Sequence, residues 1–385
     1  MMNSSNRSLR GLHVVLVVTL LMSKCHGFSA PNSKSRPILK PSVEDSSYFD
    51  SGCVANPVIL PPSTENEEWQ CYYYGNAGSW KGGHPCFLPT GSSGLAVSQN
   101  GISGWTKVPG GADNADGSML APSFDSTKWD SVQIGVGDVV RINKDELHMY
   151  YFGGSDEAIS MGPGSIVGFR MRIGRAKSFD NGRSWIKDDT YCLDYDESEG
   201  LFASWPRIIV NTDDDWSMFY HSFNGSKWRV FGATSRDQGD TWTRTGLVLE
   251  GGMCETDFDF AGIGTRAITQ WRDGLLMIYE GVDKSSVHRL GAAYCTTTTT
   301  KSADGSGKHQ WTKLNNGEPI LEPGKRPLGE WTKQVIGTPY VVNMPDGSLR
   351  LYHCAKDGPE GKMAIGVVES KSGDILPDSW TAVEL

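Results

Sequence analysis

The chain has 385 residues, of which 38% are hydrophobic and 21% are charged, so a disordered chain is excluded. Its 46 glycines, together with 13 Trp, 13 Tyr and 13 Phe, favour β structure over a helical bundle. Six basic residues and no acid lie in segment 1–43; without them the formal net charge of −9 becomes −15 for residues 44–385, which argues against a nucleic-acid or anionic-membrane binder.

The first 43 residues have the pattern of a targeting sequence. Arg7 and Arg10 precede an apolar run over 11–22, which is too short to span a bilayer but suits a signal peptide over 1–27. Segment 28–43 begins Phe28-Ser29-Ala30-Pro31, is basic and contains no acid. It resembles the transit-peptide half of the bipartite plastid presequence of algae with complex plastids. We therefore expect a transit peptide or linker over 28–43 and a plastid protein, with secretion as the alternative.

A first pattern recurs along residues 44–385, the expected folded domain. An apolar pair leads through a polar turn to an aromatic strand, and four copies begin twelve residues before a tyrosine, at Val139, Ile208, Ala267 and Tyr340. A fifth copy, from Val58, has a longer turn. Each copy predicts a β-hairpin.

A second pattern, S-x-D-x-G-x-x-W, is known as an Asp box and occurs at 178–185 and 235–242. Looser copies end at Trp105, Trp311 and Trp380. The Asp suits a turn because it can bond the turn backbone, and the Gly because it accepts a positive φ. We expect Asp180 and Asp237 to be structural.

Alternation of the two patterns predicts a unit of four antiparallel strands that is repeated five times. A four-stranded unit that repeats radially is a propeller blade. The sequence therefore predicts one all-β domain, a five-bladed β-propeller with Asp-box hairpins. No later apolar run is long enough to span a membrane, and no Cys or His spacing marks a metal site.

The Asp boxes, the strand MYYFGG at 149–154 and the five repeats resemble the five-bladed glycosidase superfamily of arabinanases, levansucrases and invertases, and especially its plastid-type relatives in plants and algae. The resemblance implies cleavage or transfer of glycosidic bonds. It also implies Asp, Asp and Glu at the starts of the first strands of blades one, two and three. Here that column contains Pro57, Asp138 and Arg207. Asp50 is a substitute for the first acid, and Glu255 is a loose candidate for the missing Glu.

Propeller geometry places the start of the first strand and the end of the second strand of each blade on one face. The residues before each repeat are Asp138, Arg207, Arg266 and Pro339; those after its tyrosine are Phe152, His221, Glu280 and His353. The first blade adds Pro57 and Tyr74. Charged residues so close to the axis are costly unless they pair or meet a ligand.

Two interpretations of these columns remain open. In the first, Asp138 is the base and Glu280 the acid that flank a glycosidic bond, with His221 or His353 as alternative acids. Arg207 and Arg266 would then clamp an anionic group, while Trp205 and Tyr74 would stack on a sugar. In the second, Asp138 pairs with Arg207 and Glu280 with Arg266 in an ion-pair network that closes the channel.

The corresponding functions are a glycosidase or transferase, and a catalytically inactive propeller that binds a sugar or a protein. For both we expect a carbohydrate or anionic small-molecule ligand, no cofactor and no metal, and a monomer.

Overall fold

The structure, a computed structural model, describes residues 36–42, 47–79, 89–111, 114–161, 164–296, 310–356, 358 and 361–383. The signal peptide, most of the predicted transit peptide and the degenerate Asp box at 302–305 lie outside these ranges and stay predictions. The predicted all-β class is confirmed, since the described helices are three short 3-10 turns. Within the described residues no helix is long and apolar enough to cross a bilayer.

Twenty of the strands form five four-stranded antiparallel meanders, named units one to five, and the other two form a small hairpin inside unit two. Unit one contains β1 (Cys53–Leu60), β2 (Trp69–Asn76), β3 (Gly91–Ser98) and β4 (Thr106–Val108). Unit two contains β5 (Gln133–Arg141), β6 (Leu147–Gly154), the hairpin β7 (Ile159–Met161) and β8 (Gly164–Ile166), β9 (Met171–Ser178) and β10 (Ile186–Leu193). Unit three contains β11 (Ser204–Thr212), β12 (Asp215–Phe223), β13 (Trp228–Ser235) and β14 (Thr243–Glu250).

Unit four contains β15 (Gly262–Trp271), β16 (Gly274–Val282), β17 (His288–Thr296) and β18 (Thr312–Lys313). Unit five contains β19 (Val335–Asn343), β20 (Leu349–Lys356), β21 (Ala364–Ser370) and β22 (Thr381–Ala382). The 3-10 turns are Asn315–Gly317, Glu330–Thr332 and Pro377–Ser379. Units three and four share one eight-stranded sheet because Trp228 pairs in parallel with Gly262.

Contacts between first strands run around the molecule in sequence order. Strand β1 contacts β5, β5 contacts β11, β11 contacts β15, β15 contacts β19, and β19 contacts β1. The last unit also touches the first through Tyr352, whose hydroxyl donates to the carbonyl of Gly101 at 2.7 Å. The first strands therefore surround a common axis, and their near ends define what we call the channel.

The two Asp boxes have the structural role expected of them. In each, the Ser Oγ accepts from the backbone N–H of the box Gly, at 2.8 Å for Gly182 and 2.9 Å for Gly239. Each box Asp accepts from a backbone N–H four residues later, and each Trp Nε1 donates to the carbonyl of the box Gly. Both glycines have a positive φ, of 83° and 81°, which a residue with a Cβ adopts at a cost. The boxes therefore fix the third-to-fourth-strand hairpins.

Residues 36–42, which the sequence assigns to the transit peptide or linker, pack on unit five. The backbone N–H of Leu39 donates to the carbonyl of Ile365, and the N–H of Ile365 donates back to Leu39 at 2.9 Å. Leu39 itself is buried. Strand β22 is two residues long, so this N-terminal arm (residues 36–42) extends the outer edge of β21.

Candidate functional site

A β-bulge interrupts every first strand near the channel, between residues 55 and 58, 136 and 138, 204 and 207, 263 and 266, and 337 and 340. Three bulges contain a residue at positive φ before a proline: Asn56 at 49°, Trp205 at 48° and Thr338 at 42°. Bulges bend a strand and redirect its side chains and carbonyls. The five bulges therefore determine which groups face the axis.

The bulges correct the predicted column. In each unit one first-strand residue pairs with the same position of the second strand. These five equivalent residues are Val58, Asp138, Arg207, Ala267 and Tyr340. Asp138 and Arg207 keep their predicted places, whereas Pro57 and Pro339 lie one residue earlier, within the bulges, and Arg266 lies one residue earlier, paired with Tyr279 directly after its bulge. In unit four the equivalent residue differs from the predicted one because the first hairpin is one residue shorter. In unit five it differs because Tyr352 corresponds to Tyr150 of unit two rather than to Tyr151. Tyr340 thus joins Asp138 and Arg207, a neighbour that the sequence pattern missed.

Arg207 occupies the axis and bonds to all four other units. Its Nε donates to the carbonyl of Arg266 at 2.7 Å, and Nη1 donates to the carbonyl of Gly137. Its Nη2 donates to Asn56 Oδ1 at 3.2 Å and to the carbonyl of Pro339 at 3.4 Å. The guanidinium lies 5.0 Å from the ring centre of Tyr340. Arg207 therefore fills the centre of the channel as a built-in cation.

Asp138 is buried beside Arg207 and joins three units. Its Oδ1 accepts from the N–H of Val139 and the hydroxyl of Tyr340, and its Oδ2 accepts from the N–H of Ile208 at 2.7 Å. Burial raises the pKa of Asp138, partly offset by the charge of Arg207 and by these bonds. Both oxygens already have protein donors, so Asp138 is placed to hold units two, three and five together.

The expected ion pairs do not form among the described residues. The salt bridges found there include neither Asp138 with Arg207 nor Glu280 with Arg266. Arg266 instead donates through Nη2 to the carbonyl of Trp205, and its buried Nε and Nη1 have no hydrogen-bond partner. Burial, and then the charge of Arg207, lowers the pKa of Arg266 well below its ordinary value. Arg266 is therefore a buried cation with two unused donors.

Glu280 forms a compact cluster at the rim of unit four. His288 Nδ1 lies 2.5 Å from Glu280 Oε1, and Oε2 accepts from the hydroxyl of Thr265 and from the N–H of Thr338. Burial opposes ionisation, but the bonds from His288, Thr265 and Thr338 lower the pKa of Glu280 below its usual value. Both side chains of the Glu280–His288 pair are 11% exposed. The pair is thus an ionised carboxylate that holds an imidazole near the surface.

Gly264 brings this pair next to a second histidine. The Nδ1 of His221 lies 2.9 Å from the carbonyl of Gly264, and an added Cβ at Gly264 would lie 3.8 Å from Glu280. His221 stacks on the half-buried ring of Trp205 at 5.1 Å, and its buried Nε2 has no partner. Burial, and then the charge of Arg266, lowers the pKa of His221 well below its usual value. His221, Glu280, His288 and Trp205 thus form one cluster, which we call the rim site.

Asp50 belongs to a repeated structural motif rather than to the rim site. In units one to four an acid that precedes the first strand accepts from a second-strand tyrosine hydroxyl and from a fourth-strand base. These staples are Asp50–Tyr73–Lys107, Asp130–Tyr151–Lys187, Glu199–Tyr220–Arg244 and Asp259–Tyr279–Lys313. Since the same arrangement recurs in units with different rim residues, we assign Asp50 to stability.

We predict that Asp50→Asn lowers the free energy of unfolding by roughly 3–5 kcal/mol, because it leaves the Lys107 charge unpaired against a buried site. Asp130→Asn is the matched variant, with the same Lys contact distance of 2.5 Å. Urea unfolding of the two proteins should give similar losses. An Asp50 variant with unchanged stability would contradict the structural assignment.

The remaining candidates are dispersed. Tyr74 is buried and donates to the carbonyl of Pro89 at 3.3 Å, which leaves little of its ring for a sugar. His353 is fully buried and stacks on Trp331 at 5.5 Å, in the second-strand position that a staple tyrosine occupies elsewhere. Glu255 is exposed and pairs with Lys284.

Buried histidines predict that stability falls in acid. Burial lowers the pKa of His353 from 6.5 to about 4, so between these values the unfolded chain binds a proton that the folded chain does not. Stability is therefore complete above pH 6.5 and declines toward pH 4, by about 3 kcal/mol for this group. The lowered pKa values of His221 and Glu280 also make stability fall in acid. The raised pKa of Asp138 has the opposite effect, because the folded chain binds a proton at Asp138 more readily than the unfolded chain does.

Unfolding in urea between pH 4.5 and 7 measures this slope. The His353→Gln variant cannot bind this proton. The slope of its free energy of unfolding against pH should therefore be smaller than that of the wild type, by the equivalent of about one bound proton. An equal slope in both proteins would show that His353 does not control it.

The sequence pattern missed His288, Thr265 and Tyr340. His288 begins a third strand, so it lay outside the two columns, although its place corresponds to that of Trp228 in unit three, where the ring packs edge-on against His221. Thr265 and Thr338 contribute through bulge geometry, which carries no residue-type signature.

Solved structures with a similar fold include glycoside hydrolases. The chain is similar to a thermostable family-43 glycoside hydrolase, at 13% identity with a TM-score of 0.58, covering 88% of this chain and 98% of the other. It is similar to a glycoside hydrolase of the mannoside phosphorylase family that targets β-1,2-mannosidic linkages in Candida mannan, at 15% identity and a TM-score of 0.56, covering 93% and 98%. It is also similar to an α-L-arabinofuranosidase from Lactobacillus brevis, at 10% identity and 0.56, covering 83% and 93%.

No protein-family model and no curated protein sequence matches the chain. At these identities the likeness concerns the fold. The chain therefore has the glycosidase-like propeller fold over nearly its whole described length, and its function is argued from its own residues.

Proposed function

We propose that the protein is a five-bladed β-propeller that acts on the glycosidic bonds of a carbohydrate at the rim site. The five meanders, the closed succession of first-strand contacts and the Tyr352–Gly101 bond support the blade count. The observation that carries the activity is the Glu280–His288 pair, in which a 2.5 Å contact joins a carboxylate with a lowered pKa to a partly exposed imidazole.

The pair can serve the reaction as one acid/base unit. Glu280 fixes His288 through Nδ1 and leaves Nε2 as the atom that exchanges protons with substrate. As an imidazolium, His288 gives a proton to the leaving oxygen while the glycosidic bond breaks. The neutral imidazole then accepts a proton from the water that adds to the anomeric carbon. The negative charge of Glu280 favours the positive, oxocarbenium-like transition state.

This assignment differs from the roles expected from the sequence. Glu280 was expected to be the acid and Asp138 the base, but the environment of Glu280 favours its ionised form and that of Asp138 opposes ionisation. Trp205 packs against the rings of Phe152 at 4.0 Å and His221 at 5.1 Å, and the part of its half-buried ring that stays exposed supplies the apolar surface that a sugar would contact. Beside it are buried the unpaired Nε and Nη1 donors of Arg266 and the unpaired Nε2 of His221, which is an acceptor because Nδ1 donates to the carbonyl of Gly264.

One observation favours the second function, a catalytically inactive propeller that binds a sugar. Asp50, Asp138 and Glu280 all accept hydrogen bonds from protein donors, as carboxylates do when they hold a structure together. A screen of natural glycans and aryl glycosides separates the two functions. Turnover that Glu280→Gln removes supports catalysis; sugar binding without turnover of any substrate in the screen supports the binder.

A further inference from the structure

Among its described residues, unit five has no staple like those of units one to four. In unit five the aromatic–acid pair before the first strand becomes Trp331-Thr332, and the staple tyrosine becomes His353. Trp331 stacks on His353 as Phe49, Trp129 and Phe258 stack on the staple tyrosines of their units. Unit five thus keeps the aromatic stack but has no acid at this place.

A cavity lies against this altered stack. It has a volume of about 370 Å³, within the range of small-molecule sites. Its lining residues are Pro37, Lys40, Pro41, Trp331, Lys356, Lys362 and Ala364. We call it the arm pocket, because Pro37 and Pro41 come from the N-terminal arm that Leu39 fastens to β21.

The corresponding place in unit two shows what has changed. There the cavity beside Trp129 and Tyr151 measures about 120 Å³ and is lined by three acids, including Asp130, which neutralises Lys187 at 2.5 Å. The arm pocket is about three times larger and its lining contains three lysines and no acid. Within the described part of the chain, neither Lys40 nor Lys362 forms a salt bridge, although Lys362 donates to the carbonyl of Ser51 at 2.6 Å.

We propose that the arm pocket is an accessory binding site for an anionic sugar, one that carries a carboxylate, sulfate or phosphate. Trp331 and the two prolines offer an apolar wall for a sugar ring, and three lysines line the same pocket, although the net charge of residues 44–385 is −15. The choice of a sugar rests on the proposed function, whereas the choice of an anion rests on the lining residues. The pocket is built from unit five and the arm. It is separate from the rim site, whose residues belong to units three and four.

Calorimetric titration of the full chain tests this proposal. Sodium glucuronate and glucose 6-phosphate should bind and compete with each other, while neutral glucose should bind much more weakly. Lys40→Gln and Lys362→Gln should each weaken glucuronate binding roughly tenfold, because each removes one charge-assisted contact. The matched control is Lys325→Gln, an exposed lysine six residues before Trp331 in the chain that pairs with Glu322 and does not line the pocket, and it should leave binding unchanged.

The proposal fails if glucose binds as tightly as glucuronate, if inorganic phosphate alone binds as tightly as glucose 6-phosphate, or if the two lysine variants bind like the wild type. Turnover of neutral aryl glycosides, measured in the same variants, should be unchanged. Loss of the proposed glycosidase activity and loss of the arm pocket are thus separate results.

Discussion

Arg207→Met is expected to lower the free energy of unfolding by about 3–5 kcal/mol, because it leaves a ring of buried oxygen atoms without their hydrogen-bond donor. The guanidinium bonds to Arg266, Gly137, Asn56 and Pro339 from four other units. Within the described part of the chain, Asp138, its neighbour in the channel, forms hydrogen bonds to only two other units, through Ile208 and Tyr340.

Urea unfolding followed by tryptophan fluorescence measures the effect. Arg183→Met is the control, since that arginine is largely exposed and lies 3.8 Å from Glu68; a change within about 0.5 kcal/mol is expected there. Buried ionic groups are sometimes replaced by apolar ones without loss. An Arg207→Met protein as stable as the wild type would place this channel in that class and end the argument that Arg207 holds the ring.

The second large effect concerns turnover. Glu280→Gln keeps the size of the side chain and an oxygen that accepts from Thr338, but removes the charge that holds His288. We expect kcat/KM to fall by about 100- to 10,000-fold, the range of general acid–base catalysis. Glu255→Gln is the matched control because Glu255 is exposed and pairs with Lys284. Equal losses in both variants, or none in Glu280→Gln, would contradict the assignment.

Much of the fold follows from local signals in the sequence. Box residues such as Asp180 and Gly182 fix a turn through their own chemistry, so their spelling predicts their geometry. The 12-residue spacing from Val139 to Tyr151 likewise reflects a hairpin that needs no distant contact. These signals predicted the all-β class and the antiparallel hairpins, and the described residues confirm both.

The site was harder to predict because it depends on strand pairing. Each bulge adds one residue to a first strand, and a one-residue change of register turns a side chain to the other face. Arg266 lies one residue outside the predicted column, opposite Tyr279, and Tyr340 takes the place that the sequence assigned to Pro339. His288 was not predicted because it lies on a third strand, across a hairpin from Glu280, whereas the predicted columns contained only first-strand and second-strand residues.

Asp50 illustrates a different difficulty. Its nearness to the first strand made it a substitute for a missing acid, but the same position holds Asp130, Glu199 and Asp259 in other units. Recognising the staple requires knowledge that Lys107 and Tyr73 converge on one oxygen, and these residues are far apart in the chain. Repetition of a contact across units then separates a structural acid from a reactive one.

The most direct test of the proposed activity is a double-mutant cycle on kcat/KM with Glu280→Gln, His288→Asn and the double variant, using the best substrate from the glycan and aryl-glycoside screen. Residues that act as one unit are strongly non-additive. The proposal therefore predicts that the double variant is no slower than the slower single variant. Independent, multiplicative losses would contradict the pairing of Glu280 with His288, and wild-type turnover in the double variant would contradict the site itself.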